Sequence, residues 1–217
     1  MDDLAGPAAD LRALPPSIGP VRLVAVDGHA GSGKSTLATR LAVALGGAPV
    51  LRLDDLATHE ELFGWTDRLR AQVLEPLSRG EAARYAPYDW VERGFGPVRV
   101  LEPAPVVLVE GVGAGRRALR PSLAALWWMD LDRSLSRERG RRRDGPGLSA
   151  FWDGWTLAED RHFAADPSRP HAGTLVRQLP VGYALSPGPG SASHGCPGSG
   201  GPVSPAQAHG DGASVTR

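Results

Sequence analysis

Between Gly28 and Ser35 the chain reads Gly-His-Ala-Gly-Ser-Gly-Lys-Ser, which satisfies the spacing G-x-x-x-x-G-K-[ST]. Glycines at these positions let successive backbone N–H groups turn inward around an anion, because β-carbons would obstruct both the backbone angles and the close approach. Lys34 is the only lysine in the sequence, every other basic residue being arginine, so its place in the motif is informative. Its ammonium is suited to bridge phosphate oxygens and the Ser35 hydroxyl to ligate a divalent cation. Gly28, Gly31, Ser32, Gly33, Lys34, Ser35 and Thr36 are the expected phosphate-binding positions. A dinucleotide loop would need G-x-G-x-x-G, which this spacing excludes.

Carboxylates stand where such chemistry needs them. Asp54 and Asp55 follow a second candidate strand, Pro49–Leu53, and Glu110 ends the aliphatic run Pro105–Val109. In open α/β sheets ligands bind beyond the carboxyl ends of the strands. A carboxylate there can take the proton of an acceptor hydroxyl or hold a metal-bound water, so Asp54, Asp55 and Glu110 are candidates for a base and a metal partner. A helix N-cap is the competing use of Asp54 and Asp55. From Arg133 to Asp144 six arginines face two acids. This surplus is suited to close over phosphates, Arg142 and Arg143 included, or to form a solvated helix face. Tyr85, Tyr88, Asp89 and Trp90 form an aromatic and acidic cluster that would border a small-molecule pocket or pin down a flap. Phe151, Trp152, Trp155, Glu159 and His162 lie at helical spacing, for which core packing is the simpler reading.

Those residues need elements to hold them. Val21–Val26 reads as a buried strand, and Leu37, Leu41 and Leu45 mark an amphipathic helix closed by Gly46-Gly47. Strand, glycine loop and helix thus surround the motif. A helical pattern runs through Leu69, Val73 and Leu77. Residues 81–102, punctuated by prolines and glycines, read as an excursion or flap. Val106–Val109 suits a strand covered on both faces. Leu126–Leu131 is a further strand, Arg133–Arg143 a helix, residues 148–165 a last helix, and Thr174–Leu179 a short edge strand. This alternation predicts a doubly wound, mostly parallel sheet with helices on both faces and an arginine-rich lid.

The 217 residues carry 24 basic and 24 acidic side chains, with 41% hydrophobic content. That suits one globular domain over residues 21–185, after an irregular leader (1–20) and before a tail (186–217) rich in Gly, Pro, Ser and Ala that is expected to be disordered. Zero net charge argues against specific nucleic-acid binding. The apolar runs are too short to span a membrane. Residues 1–20 lack a basic, apolar signal peptide. A single cysteine, Cys196, allows no disulfide framework, which fits a reducing, cytoplasmic setting. The oligomeric state is left open.

Together these residues resemble the uridine kinase-like branch of the P-loop kinases, over roughly residues 21–165. The likeness rests on Val26-Asp27-Gly28 leading into Gly31–Thr36, Leu53-Asp54-Asp55-Leu56, Pro87-Tyr88-Asp89-Trp90, Val106–Gly111 and Arg141–Asp144, in that order. It implies ATP and Mg2+ as cofactors and a small-molecule acceptor, a nucleoside such as uridine or cytidine or another small alcohol. Lys34 and Asp54 are then catalytic, with Asp54 the general base. Asp55, Tyr88, Asp89 and Trp90 border the acceptor, Ser35 and Glu110 support the metal, and Arg142 or Arg143 belongs to the lid. The sequence departs from the family after Leu56, where no tyrosine follows, and after Trp90, where Val-Glu-Arg93 replaces a His-x-Arg pattern. A nucleotide-dependent switch or ATPase acting through a protein partner is the alternative.

Overall fold

Alternating aliphatics in three neighbouring strands explain the architecture. The computed structural model describes residues 4–194. Within them run α1 (Ala5–Ala13), β1 (Arg22–Asp27), α2 (Lys34–Ala44) and β2 (Val50–Arg52), then α3 (Thr66–Leu69), which passes through a π turn (Arg70–Leu74) into α4 (Glu75–Ser78). Short strands follow: β3 (Ala83–Tyr85), β4 (Tyr88–Asp89), β5 (Gly94–Phe95) and β6 (Arg99–Leu101). The chain continues through β7 (Val106–Glu110), β8 (Ala125–Met129), α5 (Arg133–Asp144), α6 (Ser149–Ala165), β9 (Thr174–Gln178) and β10 (Tyr183–Pro187).

The central sheet has the order β10-β9-β8-β1-β7-β2. β1 runs parallel to β7 and β8, β7 to β2 and β8 to β9, while β10 returns antiparallel. Side chains alternate across it, as a sheet covered on both faces requires. Leu23 and Ala25 of β1, Val107 and Val109 of β7 and Trp128 of β8 join one core with Leu69, Val73 and Leu77. Val24, Val26, Val106, Leu108 and Trp127 join the other, with Leu37 and Leu41 of α2. The register sets Glu110 level with both Val26 and Arg52, so the loops after β1, β2 and β7 leave from one edge. β3 pairs with β6 and β4 with β5 in two small separate sheets, so residues 81–102 are an excursion outside the main layer.

Three expectations are corrected. The leader is not irregular: residues 5–13 form α1, which buries Ala8 and Leu11, together with Leu4, in the α2 core. Pro7 sits in its first turn, where a missing N–H costs nothing, and Pro15 and Pro16 follow its end. Residues 174–178 form a strand, but β10 covers its outer side, so the edge lies one strand further on. The tail begins later than residue 186, since residues 186 and 187 complete β10 and Pro189–His194 forms a 3-10 turn. The remainder of the expected tail, Cys196 included, lies outside the described residues.

Candidate active site

The phosphate loop is held from three sides. Asp27, fully buried at the end of β1, accepts from Gly28 N–H at 2.7 Å and Gly113 N–H at 2.9 Å through Oδ1, and from Gly115 N–H at 2.8 Å through Oδ2. This carboxylate ties the loop to the turn after β7. From α6, buried Glu159 accepts from Ala30 N–H at 2.7 Å, with His29 Nδ1 and Arg137 Nη2 each 3.6 Å from its other oxygen. Burial pushes the Glu159 carboxyl up, but the His29 ring and the Ala30 N–H outweigh it and hold the group below its ordinary range. α5 closes the third side. Gly31 has φ 83°, and a β-carbon there would lie 2.0 Å from the Ser136 carbonyl, so the close approach of loop and helix requires glycine. Gly33, at φ 101°, precedes the first turn of α2, whose N–H groups and dipole face the loop. Lys34, only 7% exposed, donates to the His29 carbonyl at 2.9 Å.

A cavity of about 340 Å³ opens on this loop, lined by Gly31, Gly33, Lys34, Ser35 and Thr36, by Asp54 and Glu110, and by Arg139 and Arg143 from α5. Gly28 and Ser32 lie behind it: Ser32 is fully buried and lines a second cavity of about 350 Å³ with Asp130, Arg139 and Gln178. Three cations against two carboxylates suit a polyanion. Glu110 is 4% exposed, and burial raises its carboxyl, opposed by Lys34 and the Ser35 hydroxyl and reinforced by Asp54. Its ion partner Arg52 stands 3.8 Å away. A buried carboxylate this poorly compensated, next to a hydroxyl, is a hard-oxygen donor pair that fits Mg2+, an ion held by one or two carboxylates together with substrate phosphates. Among the described residues there is no cluster of three or more metal-ligating side chains.

Asp54 faces open space in the cavity yet is crowded by protein atoms. Desolvation raises its carboxyl above the ordinary range, Lys34 lowers it and Asp55 raises it further. It stands where this cavity meets a third one, of about 350 Å³, walled by His59, Trp90, Leu148, Phe151, Trp152 and Trp155. Ala30, Asp54, Arg143 and Trp155 line both. The rings brace one another, with centroids 4.9 Å apart for His59 and Trp90 and 5.9 Å for Phe151 and Trp155.

The sequence-predicted residues therefore divide. Lys34, Ser35, Thr36, Asp54, Glu110 and Arg143 converge on one cavity, and Trp90 enters the adjoining wall. Tyr88 stands one layer back, its hydroxyl 2.9 Å from His59 Nδ1. Asp55 instead pairs with Arg99 at 3.3 Å and accepts from Tyr85, so it anchors the β3–β6 hairpin. Asp89 is exposed and accepts from the backbone N–H groups of Val91 and Glu92, which hold its carboxyl low. Arg142 is exposed beside Glu138 and lines neither cavity. Helical geometry explains this: Arg139 and Arg143 are four residues apart on the face toward the loop, and Arg142 is turned away.

Seven residues around these cavities were not among the expected site residues. Asp27 follows the expected strand Val21–Val26 and entered only as part of the resemblance, with no role assigned, and Arg139 was one of six arginines without distinction. His59 belongs to a loop with no periodic signal. Phe151, Trp152, Trp155 and Glu159 carried the signal, since residues 152, 155 and 159 share a helix face, but packing was the simpler use of it.

No protein-family model matches the chain, and no curated protein sequence matches it significantly. Solved structures do. A candidate uridine kinase from Bacillus stearothermophilus superposes with a TM-score of 0.59 at 18% identity, covering 80% of this chain and 97% of the other. A candidate fructose transport system kinase from Silicibacter sp. TM1040 gives 0.53 at 20% identity, over 77% and 89%. The chain shares the mixed α/β, P-loop kinase-like fold of these structures. Among the described residues no helix is long and apolar enough to cross a membrane.

Proposed function

We propose that the chain is an ATP- and Mg2+-dependent phosphotransferase that moves the γ-phosphoryl group to a hydroxyl of a small acceptor, a nucleoside or another small alcohol. The observation that carries this reading is Asp54, placed at the junction between a cationic cavity on the phosphate loop and the adjoining aromatic-walled cavity. A site that can seat an acceptor's body beside a base is what transfer to an alcohol needs and what hydrolysis does not.

In this reading the loop amides and Lys34 hold the triphosphate, whose nucleoside end runs toward the cavity beside Ser32 and Gln178. Ser35 and Glu110 would hold Mg2+, which supplies charge neutralisation along the phosphates. Asp54 accepts the acceptor's proton as its oxygen bonds to the γ-phosphorus. The crowding of protein atoms that raises the Asp54 carboxyl suits it to that task, because a raised carboxyl is a stronger base once ionised. Arg139 and Arg143 offset charge on the transferring group. α5 acts as the arginine-bearing lid of a doubly wound domain working in the cytoplasm, without a nucleic-acid or membrane partner.

A second reading, a nucleotide switch with a protein partner, has one observation in its favour. Val91, Phe95, Val98 and Val100 are exposed on the flap, Val91 at 86%. ADP formation with ATP and Mg2+, measured with and without each of a panel of alcohols, separates the two. Acceptor-dependent ADP supports the transferase. Phosphate release that no acceptor stimulates overturns it in favour of the switch.

A further inference from the structure

The polar groups around the aromatic-walled cavity are almost all committed to one another. Arg143 holds Asp144 through two bonds, Nε to Oδ1 at 2.6 Å and Nη2 to Oδ2 at 2.9 Å. Trp152 Nε1 donates to the same Asp144 at 3.1 Å, and Trp90 Nε1 to the Asp54 carbonyl at 3.1 Å. His59 Nδ1 is shared with Tyr88. What remains for a ligand is the Asp54 carboxylate and the far nitrogen of His59. The rest of the wall is aromatic or aliphatic.

From this inventory we infer that the acceptor is a neutral alcohol whose single reactive hydroxyl is carried on a flat heteroaromatic body. The inference rests on the phosphotransfer reading above and narrows it. Asp144 is already bonded to Arg143 and Trp152, which leaves Asp54 as the carboxylate of this wall open to a hydroxyl. A polyhydroxylated sugar or a ribose would turn further hydroxyls against the aromatic and aliphatic wall, which offers them no partner. A phosphorylated or carboxylated acceptor would meet two carboxylates, Asp54 and Asp144, against one arginine already paired. A planar ring instead stacks among Trp90, Phe151 and Trp155, and a ring heteroatom matches His59. The volume of about 350 Å³ holds a substituted ring. In the reaction the acceptor oxygen forms a bond to the γ-phosphorus, its proton passes to Asp54, and the bond from that phosphorus to the bridging oxygen breaks, so ADP leaves with the electron pair.

Two measurements test this separately from the parent reading. Binding is read by quenching of tryptophan fluorescence without nucleotide, using pyridylmethanol, uridine and fructose as probes. Turnover is read as ADP formed from ATP and Mg2+ with the same probes. The expected result is at least about 10-fold tighter binding, and about 10-fold higher kcat/KM, for pyridylmethanol than for uridine or fructose. Leu148→Asn, at a wall position 47% exposed and therefore tolerant of change, should weaken pyridylmethanol binding without lowering thermal stability. Preferred binding and turnover of uridine or fructose would overturn the inference and leave the phosphotransferase standing. Preferred binding of pyridylmethanol with no ADP from any probe would overturn the phosphotransferase and, with it, the assignment of this ligand as acceptor.

Discussion

The two adjoining cavities are made differently. The one on the phosphate loop draws its floor from Gly31 and Gly33 to Thr36 and two strand ends, and its lining carries Lys34, Arg139 and Arg143 against Asp54 and Glu110. Its neighbour collects single residues from positions 59, 90 and 148–155, and its charges, Arg143 against Asp54 and Asp144, are mostly paired internally. An anion can be caught by backbone N–H groups, which any sequence supplies once glycine permits the turn. An apolar acceptor must be met by side chains brought from several elements. The first cavity is therefore local in sequence and general in function, the second dispersed and specific.

The largest expected effect falls on the local half. Lys34→Ala should lower kcat about 10³-fold with an unchanged circular dichroism spectrum, because the side chain's one bond within the protein is to the His29 carbonyl. At the junction, Asp54→Asn should lower kcat about 10²-fold while ATP binding, measured by calorimetry, persists. This variant also carries a stability sign. A carboxyl raised by burial holds its proton more tightly folded than unfolded, so its favourable contribution is full below the ordinary value of 3.8 and is lost as pH rises through the raised folded value. Nucleotide-free Asp54→Asn should thus melt above the wild type at neutral pH, with the gap closing toward pH 3.8 in differential scanning calorimetry.

Glu159 joins the two halves, since α6 carries both it and the aromatic wall. Glu159→Ala should reduce kcat/KM for ATP about 10-fold and cost about 3 kcal/mol in urea unfolding, because His29 and Arg137 lose their buried partner. Arg143→Ala should have a comparable effect on turnover. Arg142→Ala, its neighbour on the other side of the helix, should change kcat by less than about 2-fold and stability by less than about 0.5 kcal/mol. Equal losses at the two arginines would erase the distinction drawn between lid face and solvent face.

Legibility in the sequence followed the same division. The loop, α2, the aliphatic β7 and the placement of Asp54 and Glu110 at strand ends were readable because period and motif are local properties. Arg142 and Arg143 were not separable by composition, and only the helical phase set by Ser136 and Gly140 against the loop distinguishes them. Asp55 and Asp89 had the right type near the right place, but tertiary partners, Arg99 and two backbone N–H groups, claimed them. α1 was obscured by prolines that in fact bound it. The aromatic wall had its signal in residues 151–155, and what was missing was knowledge of which element faced it.

The central claim, transfer rather than hydrolysis, is tested most directly by following the labelled γ-phosphate of ATP into product. With wild-type protein, Mg2+ and pyridylmethanol, the label should appear on the alcohol, in amounts equal to the ADP formed, and vanish with Lys34→Ala. Label found only as inorganic phosphate, at a rate no alcohol changes, would contradict it.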